Sequence, residues 1–202
     1  LIYFRNLLYN IVKYVSKSGV SMNINTTYTK IITGEDLMET DQHGSTLYPF
    51  QFYYEDLSVF DFNCIEWHWH TELEFIYIES GTVTLWIGED QFHLTEGNGI
   101  FINTKVLHRL YSPSKALIPN FVFMPSFIAP CDSLIYQKYI LPIISSSLPF
   151  LVFHKKVCWQ AKVLSIMRQI ISAQDSVLSK ELLTSSLLQN LWLEIFENTD
   201  IS

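Results

Sequence analysis

Four residues of this 202-residue chain have the types and spacing to do chemistry together. Trp67-His68-Trp69-His70 sets two imidazoles two residues apart, Glu74 follows four residues after His70, and His108 comes much later. In a strand alternate side chains share a face, so His68 and His70 point one way while Trp67 and Trp69 point the other. If Thr71 and Glu72 turn the chain into the next strand, Glu74 returns opposite the two histidines. His108, from a later strand, then completes three nitrogens and one carboxylate, a set suited to Zn, Fe, Mn or Ni. The plainer alternative is that His68, His70 and His108 are hydrogen-bonded pocket walls and that Glu74 pairs with one of them. Trp86 is a candidate stacking surface for a ligand, weighed against simple packing. His93, on a candidate strand, and His43 and His154, in loops, read as surface or packing residues. No Gly-rich phosphate loop, nucleophile elbow or Ser-His-Asp ordering is visible.

Such a constellation needs strands to aim it. From Phe50 to about Met124 the sequence is rich in Phe, Tyr, Trp, Ile and Val and is cut at short intervals by turn formers. Candidate strands are Phe50 to Tyr54, Cys64 to His70, Leu73 to Glu79, Thr82 to Ile87, Gln91 to Leu94, Gly99 to Asn103, Leu107 to Tyr111 and Ile118 to Phe123. Eight or so short strands make a small barrel or jelly roll. After Pro125 the pattern changes to a short helical stretch near Asp132 to Ile140, a Ser- and Pro-containing linker through Pro149, and two helical segments. Val157 to Ala173 spaces its apolar residues near helical period. Val177 to Phe196 carries Leu183, Leu187, Leu191 and Ile195 along one stripe. Part of that stripe is expected to meet the barrel and part a second subunit, the alternative being that all of it is intramolecular core.

Composition limits the partners. The chain is 49% hydrophobic and 16% charged, enough apolar content for a sizeable core and too much for intrinsic disorder. Thirteen Lys and Arg against twenty Asp and Glu give a net charge of -7, so no basic face is on offer to a phosphate backbone. Three widely spaced cysteines, Cys64, Cys131 and Cys158, fit neither a disulfide framework nor a paired metal site, and a reducing cytoplasm is the simpler home. The apolar opening is broken by Arg5, Asn6, Asn10 and Lys13, which argues against a membrane span. Residues 1–21 read as a leader or appended extension, 22–125 as the barrel and 126–202 as a helical region.

His-x-His, a Glu four residues on, Gly81 and a later His108 resemble the metal motifs of the cupin superfamily. The wider run from Trp67 through Phe75-Ile76-Tyr77-Ile78-Glu79-Ser80-Gly81, then Leu94-Thr95-Glu96-Gly97-Asn98-Gly99-Ile100-Phe101-Ile102-Asn103 and Val106-Leu107-His108, resembles the amino-terminal sensing domain of AraC-type bacterial transcription regulators. The likeness extends over about residues 35 to 198. It implies a mainly β fold with an α appendage, in which a double-stranded β-helix barrel holds a small-molecule effector such as a sugar and a helical hairpin makes a homodimer. It also implies a carboxy-terminal pair of helix-turn-helix motifs for DNA. Nothing after Phe196 supplies those motifs, so the chain is expected to be a fragment or an isolated sensing domain. Two departures stand out: the cupin pattern has Gly where Phe62 stands and Pro where Thr95 stands. The alternative function is a metal-dependent cupin enzyme, a dioxygenase or isomerase, with His68, His70, Glu74 and His108 around Fe or Mn.

Overall fold

Strand β3 (Leu73–Tyr77) buries four of its five residues, as a strand covered on both faces must. A computed structural model, which describes residues 23–176 and 178–200, shows what covers them. Residues 1–21, expected to be a leader, lie outside the described residues.

One antiparallel sheet has the order β1-β8-β3-β6-β9, built from β1 (Phe50–Asp56), β8 (Leu117–Phe123), β3, β6 (Gly99–Ile102) and β9 (Phe150–Phe153). The other has the order β2-β7-β4-β5, built from β2 (Cys64–His68), β7 (His108–Tyr111), β4 (Thr82–Ile87) and β5 (Asp90–Thr95). Between them lies an aliphatic core that includes Ile65, Ile76, Val83, Leu85, Ile100, Leu110 and Ile118. The opposite face of the five-stranded sheet is aromatic. Phe75 stacks on Phe121 with ring centroids 5.4 Å apart, and Phe50, Phe101, Phe123 and Phe153 join the same layer. Two helices, α2 (Cys158–Ala173) and α3 (Lys180–Asn198), cover that layer through Val163, Met167, Ile170, Leu187, Leu191, Trp192 and Ile195. Period-two alternation therefore sorts β3 into two environments: Leu73 and Phe75 face the helices, Glu74 and Ile76 the barrel interior.

The double-stranded barrel with a helical tail is the architecture the sequence pointed to. Three readings change. The stripe Leu183, Leu187, Leu191 and Ile195, expected to contribute a dimer contact, turns inward: Leu187, Leu191 and Ile195 are buried in the chain's own core and Leu183 packs beside them. The aromatic back of the five-stranded sheet needs a cover, and this stripe supplies it. The linker through Pro149 runs straight into β9, which pairs with β6 and so places part of residues 126–202 in the barrel sheet. The short helical stretch near Asp132 to Ile140 runs later, through a widened turn at Tyr136–Ile140 into α1 (Leu141–Ile144).

Two of the positive-φ positions bear on the sequence motifs. Gly81 sits at +87°, where a Cβ would meet the Lys115 carbonyl oxygen at 2.7 Å, so no other residue fits without moving the backbone that leads into β8. Phe62, standing where the cupin pattern has Gly, keeps the left-handed backbone at +59° and leaves its ring exposed.

Candidate functional site

β2 ends at His68, with a register shift between Ile65 and His68 against β7. His70 lies beyond the strand, where the backbone N–H of Lys105 donates to its carbonyl at 2.8 Å. His68 is the cross-strand partner of His108. The outcome is the one alternation alone would give: the rings of His68 and His108 are 4.1 Å apart, those of His70 and His108 5.3 Å. Donor nitrogens of all three lie within 4.8 Å of one another, and all three residues are buried.

Each ring is oriented by its Nδ1. That atom lies 2.8 Å from the Glu66 carbonyl in His68, 3.2 Å from the Glu72 carbonyl in His70 and 2.8 Å from the Val106 carbonyl in His108. A carbonyl only accepts, so Nδ1 carries the proton and a neutral ring turns a bare Nε2 inward. Glu74 closes the group from β3, with Oε2 at 3.4 Å from His70 Nε2 and 3.1 Å from His108 Nε2.

Burial pushes the His68 imidazole down to about 3, with His108 adding to the effect, so His68 is neutral at neutral pH. Burial alone would raise the Glu74 carboxyl, but the His108 and His70 rings outweigh it and hold Glu74 well below the usual carboxylate range. Burial would lower His70, and Glu74 more than reverses that. Glu74 Oε2 and His108 Nε2 have no well-aligned hydrogen bond among the described residues. Three oriented imidazoles, one anionic carboxylate and two orphaned inward atoms fit a divalent cation held by His68, His70, His108 and Glu74. Bound there, such an ion would supply a Lewis-acidic contact for a ligand oxygen or nitrogen.

His68, His70 and Glu74 form one end of a cavity of about 30 Å³ between the sheets. The other end is polar too, and sequence reasoning missed it. His43, read as a loop residue, is buried with Nδ1 2.8 Å from the Tyr53 hydroxyl and Nε2 3.2 Å from Glu39 Oε2. Its ring meets that of His70 edge-on at 5.6 Å. Tyr28 donates to Glu55 Oε1 at 2.6 Å, and Asn120 Nδ2 donates to Oε2 at 2.9 Å. Burial pushes Glu55 up to about 7 against the pull of these two donors. One signal was available: Tyr53 and Glu55, polar and two apart on a strand whose partner carries Asn120, mark a wet inner face.

Trp86 does not line the cavity. It lies on β4 beneath Arg109, whose guanidinium is 5.0 Å from the ring centroid and whose Nε donates to Glu66 at 2.9 Å. Alternation explains the correction, since Leu85 and Ile87 take the buried positions beside it. His93 contacts Thr84 Oγ1 at 3.1 Å, and His154 is exposed.

Comparison with known proteins bears on the same residues. The sequence profile of the AraC-like ligand binding domain matches residues 51–192. The chain belongs to this family. An uncharacterized HTH-type transcriptional regulator, YdeC of Bacillus subtilis (strain 168), is 24% identical over 143 residues, 69% of this chain and 48% of the relative. The chain thus spans about half the length of that curated relative. Among solved structures, ToxT from Vibrio cholerae O395 aligns with a TM-score of 0.51 at 12% identity, over 75% of this chain and 56% of ToxT, which is a likeness of fold. A cupin-2 domain containing protein from Shewanella frigidimarina NCIMB 400 aligns over 40% of this chain and 81% of its own, at 20% identity and a TM-score of 0.33. As an AraC-like ligand-binding domain, the chain is the kind of module that recognises a small molecule for a transcription regulator. No helix among the described residues is long and apolar enough to cross a membrane.

Proposed function

We propose that this AraC-like domain is the effector-sensing half of a cytoplasmic, dimeric transcription regulator. It takes a small polar metabolite, a sugar among the candidates, at the barrel cavity, with a divalent metal held by His68, His70, His108 and Glu74. The observation that carries the reading is the cavity itself, in which buried histidines and carboxylates and half-buried tyrosines converge from β1, β2, β3 and the segment before β1. Pockets built from a few oriented polar groups on an apolar wall are ligand sites. DNA contact would belong to a carboxy-terminal helix-turn-helix module, consistent with a net charge of -7 in this part. An effector changes the regulator only by binding two arrangements with different affinity.

Thermal shift against a metabolite panel, with and without Zn, Ni, Mn or Fe, tests this directly. At least one metabolite should raise the melting temperature, and His70→Ala or Glu74→Ala should abolish the response. A flat panel, unchanged by either substitution, removes the sensing role. The enzyme reading keeps one observation in its favour, the complete set of three imidazoles and a carboxylate. Stoichiometric iron or manganese in the purified protein, together with oxygen uptake on a bound metabolite, would favour a dioxygenase instead.

A further inference from the structure

Of the three carboxylates that line the cavity, two lie against imidazoles and one does not. Glu74 meets His70 and His108, and Glu39 meets His43. Glu55 is 4% exposed and is met by two neutral donors, the Tyr28 hydroxyl and the Asn120 amide. Each of its oxygens accepts one of these bonds and keeps a further lone pair. The residues lining the cavity include no Lys or Arg. A buried carboxylate with no counter-charge is a liability that a fold does not need for packing, since an apolar residue would fill the space better.

Resting on the sensing role proposed above, we infer that the effector carries a protonated amine and seats it against Glu55, with Tyr28 and Asn120 beside it. An ammonium supplies the absent counter-charge and has three N–H donors for the spare lone pairs. A carboxylate or phosphate seated against Glu55 would meet a like charge, with no Lys or Arg in the lining to offset it. A neutral polyol would satisfy hydrogen bonds and leave the charge of Glu55 unmatched. A cavity of about 30 Å³ has room for a head group of ammonium size. The rest of the molecule then requires the segment that contributes Tyr28, Ile31, Glu39 and His43 to shift.

The test is a binding screen of the unaltered 202-residue chain at pH 7.5, with and without added Zn, against metabolites sorted into amines, neutral polyols and acids. Two matched sets anchor it: glucosamine with glucose and glucuronate, and 1,4-diaminobutane with 1,4-butanediol and succinate. Binders should come from the amines, and the two scaffolds separate an amino sugar from an aliphatic polyamine. Glu55→Gln should weaken the amine at least tenfold while leaving metal content unchanged. Tyr28→Phe, which keeps the carboxylate, should preserve the preference for amines. Polyols or acids as the best binders overturn the inference and leave the sensing role standing, as does amine binding that Glu55→Gln does not weaken. No binder in any class overturns both. Because the charge preference is read on the unaltered chain, the outcome does not depend on how the variants fold.

Discussion

Glu55 gives the domain a pH signature of unusual sign. Its folded pKa of about 7 lies above the ordinary carboxyl value of 4.5, so the folded state holds a proton that the unfolded state releases first. Stability from this group is complete below the unfolded pKa and is lost as pH rises through the folded one. The loss reaches about 3 kcal/mol at about 1.4 kcal/mol per pKa unit. Glu74 runs the other way, since its depressed carboxyl contributes stability at neutral pH that is lost in acid. Urea denaturation of the metal-free parent and Glu55→Gln at pH 5 and pH 8 isolates the first effect. Relative to the parent, the variant should gain about 2 to 3 kcal/mol on going to the higher pH; an equal difference at both pH values refutes the assignment. A second residue-scale test concerns Phe62, which is 90% exposed in a left-handed conformation. No packing is lost on Phe62→Gly, the relief of about 1–2 kcal/mol in backbone strain exceeds the added chain entropy of glycine, and a gain of up to about 1 kcal/mol is expected.

At the scale of elements, α3 decides between an intramolecular and an intermolecular stripe. Leu191 is 1% exposed against the aromatic layer, whereas Leu182 is 77% exposed on the opposite face of the helix. Leu191→Ala should cost about 2–5 kcal/mol at any protein concentration. Leu182→Ser should leave monomer stability within about 0.5 kcal/mol, so any effect it has on sedimentation would report a contact between copies. The sequence showed this helix and its stripe but not the direction of the stripe, because an amphipathic pattern states that a partner exists without stating which one. The strands were legible where alternation and turn residues agree, as in β3 and β4. β9 was not: Phe150–Phe153 is a four-residue apolar run after Ser and Pro, with no alternation to separate it from a loop. The same contrast governs the site. His68, His70, Glu74 and His108 announce themselves through local spacing, and the folded chain brings them together. His43, Tyr28 and Glu55 lie on separate segments whose meeting depends on how the stretch before β1 crosses the barrel, which no local pattern encodes.

That crossing is a property of the whole molecule. Residues before β1 are tied to the barrel by isolated main-chain bonds rather than by a ladder: Asn25 N–H to the Tyr54 carbonyl, Asp61 N–H to the Thr29 carbonyl, and a pair joining Trp69 to Leu37 and Glu39. They nevertheless supply Tyr28, Ile31, Glu39 and His43 to the cavity. A segment with few bonds and much exposed backbone opens at a lower free energy than the sheets beneath it, so it sets both access to the site and the response to a ligand. A ligand that requires the closed arrangement stabilises it by RT ln(1 + [L]/Kd), about 2.7 kcal/mol at a hundredfold excess over Kd. Amide exchange at residues 28–43 should then slow by about a hundredfold on saturation with an effector. Amides of β3 and β8, already held by neighbours on both sides, should change far less. Uniform slowing across the barrel would mean that the ligand stabilises the fold as a unit. Unchanged exchange at residues 28–43 beside a saturated site would mean that this segment takes no part in binding.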